Sequence, residues 1–180
     1  MRFFLALARL IDGLNERVGR FTHWLILACV LISAGNAIAR YGFSLSSNAF
    51  LEIQWYLYSI VFLGAAGYTL KHNAHVRIDL VSGRLSQRTQ AWIDVFGALF
   101  MLLPVCAIIV WYGGSAFIES YRIGELSADA GGLARWPIKL VLPLAFLLLM
   151  LQGIAETIKR LAFLAGDAAQ PEAPGREHAE

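Results

Sequence analysis

Two histidines three residues apart, His72 and His75, sit in the run LKHNAHVRID with Lys71, Arg77 and Asp79 beside them. At that spacing they can share a helix face, which is what a metal site or a haem would ask of paired imidazoles. A zinc shell wants three or four ligands, and neither a cysteine nor another histidine lies close by in sequence, so no metal is expected here. Haem is the sharper alternative. His23 and either His72 or His75 fall near the same end of their apolar segments and could be axial ligands, which would make the chain a haem-binding membrane anchor of a redox complex. A purified protein without a Soret band would end that alternative, and the main reading requires no cofactor. Cys29 and Cys106 both lie inside apolar runs and read as small hydrophobes, free of disulfide or metal.

The elements that must position these residues follow from composition. The chain is 58% hydrophobic and 16% charged over 180 residues. A soluble domain is nearer half apolar and a quarter charged, so a membrane protein is indicated. Crossing about 30 Å of hydrocarbon takes roughly 20 apolar residues in a helix. Four windows meet that length, at 21–39, 49–70, 91–113 and 137–161. The expected fold is an all-α integral membrane protein of four transmembrane helices, its membrane domain covering 21–165. Residues 1–20 carry Phe3, Leu7, Leu10, Ile11, Leu14 and Val18 at helical spacing with charges on other faces, which predicts an N-terminal interfacial amphipathic helix. Residues 166–180 have Pro, Ala and charge without an apolar period, so a disordered cytoplasmic tail is expected.

Lys and Arg are divided 11 to 4 between alternate connections. Arg2, Arg9, Arg17, Arg20, Lys71, Arg77, Arg84, Arg88, Lys159, Arg160 and Arg176 lie on one side; Arg40, Arg122, Arg135 and Lys139 lie on the other. The positive-inside bias then places both termini and LKHNAHVRID in the cytoplasm. Ala37-Ile38-Ala39 fits a small-residue cleavage pattern, but a leader of about 39 residues is too long for a signal peptide, so a retained span is expected. Ser86 is placed to cap the helix entering the third span. Pro104 in mid-span predicts a kink, whereas Pro137 suits a first helical turn. The segment 114–135 reads as the longest connection outside the membrane, with Glu119, Glu125 and Asp129. Loops of that length usually have a job.

A transporter needs ionisable or polar groups within the membrane to replace water around its cargo. The window centres, Cys29-Val30-Leu31, Ile60-Val61-Phe62, Leu102-Leu103-Pro104 and Phe146-Leu147-Leu148, supply none. Glu52, Asp94 and Glu156 lie near window ends, which argues against a stand-alone exporter of small cations. Asn36 and Gln152 are the deepest strong hydrogen-bonders, and helix-to-helix bonds are their expected use. Glu52 lies across a short loop from Arg40, so an outer-interface ion pair between Arg40 and Glu52 is expected. Glu52, Tyr56, Ser59, Leu63 and Ala66 recur at three- and four-residue spacing, a stripe polar at one end and small at the other, as a docking seam would be.

The run EIQWYLYSIVFLGAAGYTLKHNAHVRIDL at 52–80, with RWPIKLVLPLAFLLLMLQGIAETIKR at 135–160, resembles the small membrane subunit of tripartite ATP-independent periplasmic (TRAP) transporters, the DctQ-like small permease. Its most specific pieces are Glu52-x-x-Trp55-Tyr56, His75-Val76-Arg77-Ile78-Asp79 and Leu151-Gln152-Gly153. The resemblance implies a non-catalytic bacterial inner-membrane subunit. Its partners would be a large permease subunit holding the sodium and substrate sites, a periplasmic substrate-binding protein delivering an organic acid or related solute, and membrane lipid; nucleic acid is not among them. On that reading Glu52, Trp55, Tyr56, His75, Arg77 and Asp79 are candidate partner or interface contacts, and catalytic residues are not expected.

Overall fold

The computed structural model describes residues 2–44, 47–72 and 85–166. Its elements, in order, are α1 (Arg2–Phe43), α2 (Asn48–Gly64), α3 (Ala66–Lys71), α4 (Gln87–Gly97), a π-helical turn (Ala98–Leu102), α5 (Leu103–Arg122) and α6 (Trp136–Leu164). They form four helices long and apolar enough to cross a membrane: Arg2–Phe43, Asn48–Lys71, Gln87–Arg122 and Trp136–Leu164. Each contains one of the four apolar windows, and the chain is a multi-pass membrane protein. The described part of LKHNAHVRID stops at His72, so His75, Arg77 and Asp79 lie outside the described residues, as does nearly all of the tail from 166.

The apolar middle of α6 runs without interruption from Leu140 to Leu151. That helix is the hub, touching α1, α2, α3, α4 and α5. From Trp136 to Glu156 is 20 residues, about 30 Å at the helical rise, matching the hydrocarbon thickness between the polar groups at its two ends. One end of the bundle, the hairpin end, carries Glu125, Arg135 and Lys139. The other, the Lys159 end, carries Asp12, Asp94, Glu156, Lys159 and Arg160.

Residues 2–20 are helical as the amphipathic pattern requires, but they run into the first span without a break. Of the apolar stripe α1 fully buries only Ile11. Phe3, Leu7, Leu10 and Leu14 remain outward, while Ala8, Ile11, Asn15, Gly19 and Thr22 face inward. Small residues let backbones approach where lipid tails are as apolar as the helices themselves. Ala8 and Ile11 accordingly meet Ala155, with Leu151 and Ile158 packed around them.

The third span answers Pro104 with a π turn. Proline cannot donate to the carbonyl of Phe100 and its ring crowds that turn, so the backbone widens and the Leu103 N–H reaches Ala98 O instead. The widened turn carries Leu102 into a notch on α6: a Cβ at Gly153 would come 2.7 Å from Leu102 Cδ2. Farther along, Pro143 of α6, buried, fits the notch at Gly113. Pro137 stands in the first turn of α6, where its missing N–H costs nothing.

The connection 114–135 is shorter than its sequence suggests, because nothing breaks the helix before Gly124. There φ is +61°, the Gly124 N–H meets Tyr121 O at 3.2 Å and the Glu125 N–H meets Ser120 O at 3.0 Å, a left-handed glycine stop. Only 123–135 remains as a hairpin, closed by an antiparallel bridge between Leu126 and Ala134. At the start of α4 the Ser86 hydroxyl accepts the Thr89 N–H at 3.3 Å. Ser86→Ala should lower stability by about 1 kcal/mol, read as a fall in the thermal midpoint in detergent.

Candidate functional site

Polar side chains gather in two clamps, one at each end of the bundle. At the hairpin end, Glu52 in the first turns of α2 is 1% exposed. The hairpin folds over it. Glu52 accepts the Leu133 N–H at 2.6 Å and the Ser127 hydroxyl, with Arg135 Nη2 at 3.8 Å. Gly132 must be glycine for this approach, since a Cβ there would stand 2.8 Å from Glu52 Oε1. Asn48 donates to Ala130 O at 3.0 Å and the Tyr56 hydroxyl to Ala134 O at 2.9 Å. Three residues on one face of α2 thus hold three backbone points of the hairpin.

The cation beside Glu52 is Arg135, not Arg40. Arg40 ends α1 on an exposed face with its guanidinium 5.9 Å above the Tyr41 ring, while the returning hairpin delivers Arg135 to Glu52. Glu52 and Tyr56 are therefore occupied within the chain, and Trp55, 62% exposed, points away. Glu125 pairs with Lys139, and the Lys139 hydrogen bond holds its carboxyl below the ordinary value of 4.5. A lowered folded-state pKa stabilises above the unfolded value and is lost as pH falls through the folded one. Cleavage of the hairpin by an added protease should therefore rise as pH drops below 4.5 and stay flat above it; Glu125→Gln should reduce that acid-side change, leaving whatever the Glu52 carboxylate contributes to the same hairpin.

At the Lys159 end, Gln152 is fully buried and sits on the α6 face toward α1. Its Oε1 accepts from Asn15 Nδ2 at 2.9 Å, and its Nε2 donates to Asp12 Oδ1 at 2.7 Å and Glu156 Oε1 at 3.0 Å. Lys159 bonds Asp12 at 3.1 Å and Glu156 at 2.5 Å. Glu16 takes Lys71 at 2.6 Å and His72 at 3.0 Å, joining α1 to the end of α3, and Arg160 pairs with Asp94 at 3.2 Å, joining α6 to α4. The amide in the apolar run of α6 thus finds helix-to-helix bonds, as its type demands. Asn36 makes no side-chain hydrogen bond among the described residues. Asn15, Asp12 and Ser127 do not stand out in the sequence. The inward stripe Ala8, Ile11, Asn15, Gly19 and Thr22, spaced by three and four, is the signal that could have found Asn15. Replacing Asn15 and Gln152 by Leu singly and together should show a coupling of about 1 kcal/mol in a double-mutant cycle, as read by thermal unfolding.

The two clamps do not meet, since the apolar run of α6 separates them. Among the described residues no group of three His, Cys, Asp or Glu side chains is disposed to hold a metal. His72 lies against Tyr68, ring centres 4.4 Å apart, and bonds Glu16, while His23 is exposed on α1. What the arrangement does chemically is join helices.

The family model described as "Tripartite ATP-independent periplasmic transporters, DctQ component" matches residues 29–163, well over half the chain. The chain belongs to the DctQ family. It is a TRAP transporter small permease component, a class that works with a large permease and a substrate-binding protein. No curated protein and no solved structure matches it. Within this DctQ chain the matched range takes in Glu52 and the whole of the hairpin that it holds. It also takes in Gln152 and Gly153, but not Asp12, Asn15 or Glu16, so the Lys159-end clamp ties the matched bundle to helix that precedes it.

Proposed function

We propose that this chain is the non-catalytic scaffold subunit of a sodium-coupled, binding-protein-dependent TRAP transporter that imports an organic acid or related solute. It lies in the bacterial inner membrane with both termini cytoplasmic, bracing the large permease subunit that carries the sodium and substrate sites. The observation that carries this reading is the uninterrupted apolar middle of α6 between two clamps whose carboxylates and amides are engaged with other helices or the hairpin. A cargo path needs groups free to replace water, and these groups are committed to architecture.

The candidate contacts divide accordingly. Trp55 faces outward from the bundle and is offered to the large subunit, as are His75, Arg77 and Asp79. Glu52 and Tyr56 act at one remove, by fixing the hairpin; the segment 119–129, which joins the end of α5 to the first half of that hairpin, is offered to the binding protein. Co-expression tests this. Removing the chain should lower both the membrane abundance of the large subunit and solute uptake. Arg77→Ala with Asp79→Ala should reduce co-purification more than insertion. Full uptake and full abundance of the large subunit without this chain would overturn the scaffold role.

A further inference from the structure

Arg17, Arg20, Phe21 and Trp24 line one groove on α1. They lie on the face opposite Asn15, Gly19 and Thr22, which are buried against the rest of the bundle. Phe21 is 59% and Trp24 70% exposed. The register of α1 against the second span sets the depth of this groove. Glu16 bonds Lys71, Gly19 lies against Tyr68, and Thr22 lies against Gly64. Arg20 therefore stands about one turn nearer the middle of the bundle than Lys71, and Phe21 and Trp24 continue in that direction. The two guanidiniums sit where a polar belt gives way to an apolar surface.

Neither cation is closely paired among the described residues. Arg17 has no ion pair or side-chain hydrogen bond there. Arg20 reaches Glu16 only at 3.9 Å, and that carboxylate already accepts from Lys71 and His72. A guanidinium facing hydrocarbon must snorkel or find an anion. Three residues apart on one helix face, the two forks can converge on a single phosphate. The Phe21 and Trp24 rings lie deeper than the guanidiniums and offer an apolar track, and in a phospholipid the acyl chains lie deeper than the phosphate.

We propose that Arg17, Arg20, Phe21 and Trp24 form a seat for an anionic phospholipid of the phosphatidylglycerol type, its phosphate on the two guanidiniums and an acyl chain along the Phe21 and Trp24 rings. A headgroup bearing its own ammonium is disfavoured beside the two guanidiniums that share its phosphate. The lipid completes the charge balance of the Lys159 end from outside the bundle.

Native mass spectrometry of the full chain, extracted from membranes doped with equal phosphatidylglycerol and phosphatidylethanolamine, tests this. Wild type should retain phosphatidylglycerol in preference. Arg17→Gln, which removes a side chain unpaired among the described residues, should cut retention about fivefold, and adding Arg20→Gln should cut it roughly twentyfold. Arg9→Gln, outside the groove, should change nothing. Equal retention of the two lipids by wild type, or unchanged retention by Arg17→Gln, overturns the proposal. Unchanged lipid retention with reduced recovery of the large subunit would overturn it too, and would assign the groove to a protein contact instead.

Discussion

Gly67→Val should be the most damaging single change in the Lys159 half of the molecule. Gly67 of α3 is buried, and a Cβ there would collide with the carboxamide of Asn15, itself 0% exposed. Asn15 cannot swing aside without leaving Gln152, and Gln152 cannot follow without leaving Asp12 and Glu156. The Asn15 Oδ1, which has no N–H or O–H donor, rests on the bare Cα of Gly67, so the glycine serves as much for contact as for space. Overpacking of this kind costs about 1–3 kcal/mol, and valine's branched side chain belongs at the upper end. The thermal midpoint and the yield of folded protein should both fall steeply. Gly35→Ala, where no atom waits within 4 Å, should leave both near wild type. Equal midpoints for the two variants would show that α1 does not pack on α3 as described.

The second large effect is expected from Glu52→Ala. It strips the acceptor from the Leu133 N–H and from Ser127, and leaves Arg135 beside an apolar methyl. From α2 the hairpin would keep only the Asn48 and Tyr56 bonds to the backbone of Ala130 and Ala134, beside the Glu125 pair with Lys139 of α6. Local opening, rather than global unfolding, should follow, because α5 and α6 remain packed along their length through contacts such as Gly113 with Pro143. Limited proteolysis within 123–135 should speed up by roughly tenfold or more, while the thermal midpoint moves little. Glu52→Gln keeps one acceptor oxygen where the carboxylate offers two, enough for the Leu133 N–H or the Ser127 hydroxyl but not both, and should fall between. Cleavage of Glu52→Ala at the wild-type rate would mean that the hairpin holds itself. A midpoint collapse would mean that Glu52 supports the whole bundle.

Both sites show where sequence is informative. Gln152 is legible because a carboxamide in an apolar helix must find a partner on another helix, and the four spans are legible from their length alone. The Leu151-Gln152-Gly153 triplet stands out, yet its logic needs three dimensions: Gln152 turns to α1 while Gly153 receives Leu102 from the π turn. The partner of Glu52 is not legible. Arg40 is near in sequence, but the hairpin that supplies Ser127, Leu133 and Arg135 returns from far along the chain, and only the fold brings it back. Asn15 is hidden for a different reason. In an amphipathic helix a polar residue reads as solvent-facing, whereas here the outward face is the greasy one and the inward face is small and polar. The connection 114–135 misleads because apolar run length marks the end of a span, not of a helix; Gly124, with its positive φ, is the actual stop.

The continuous α1 also bears on how the subunit could brace a partner. Its first half is locked to α6 by Asp12 with Lys159 and by Asn15 with Gln152, while much of its second half, including Val30, Leu31, Ile38 and Tyr41, is exposed. A rod held to α6 at one end and to α2 along one side, where Ser33 bonds Gln54, with its other side bare, is suited to lie against another membrane protein.

Solute flux into proteoliposomes of three compositions tests the central claim most directly: this chain alone, the large subunit alone, and the two together, each with the binding protein and a sodium gradient. No flux is predicted from this chain alone, and flux per large subunit should be greatest with both present. Accumulation of solute in vesicles that hold this chain without the large subunit would contradict the account.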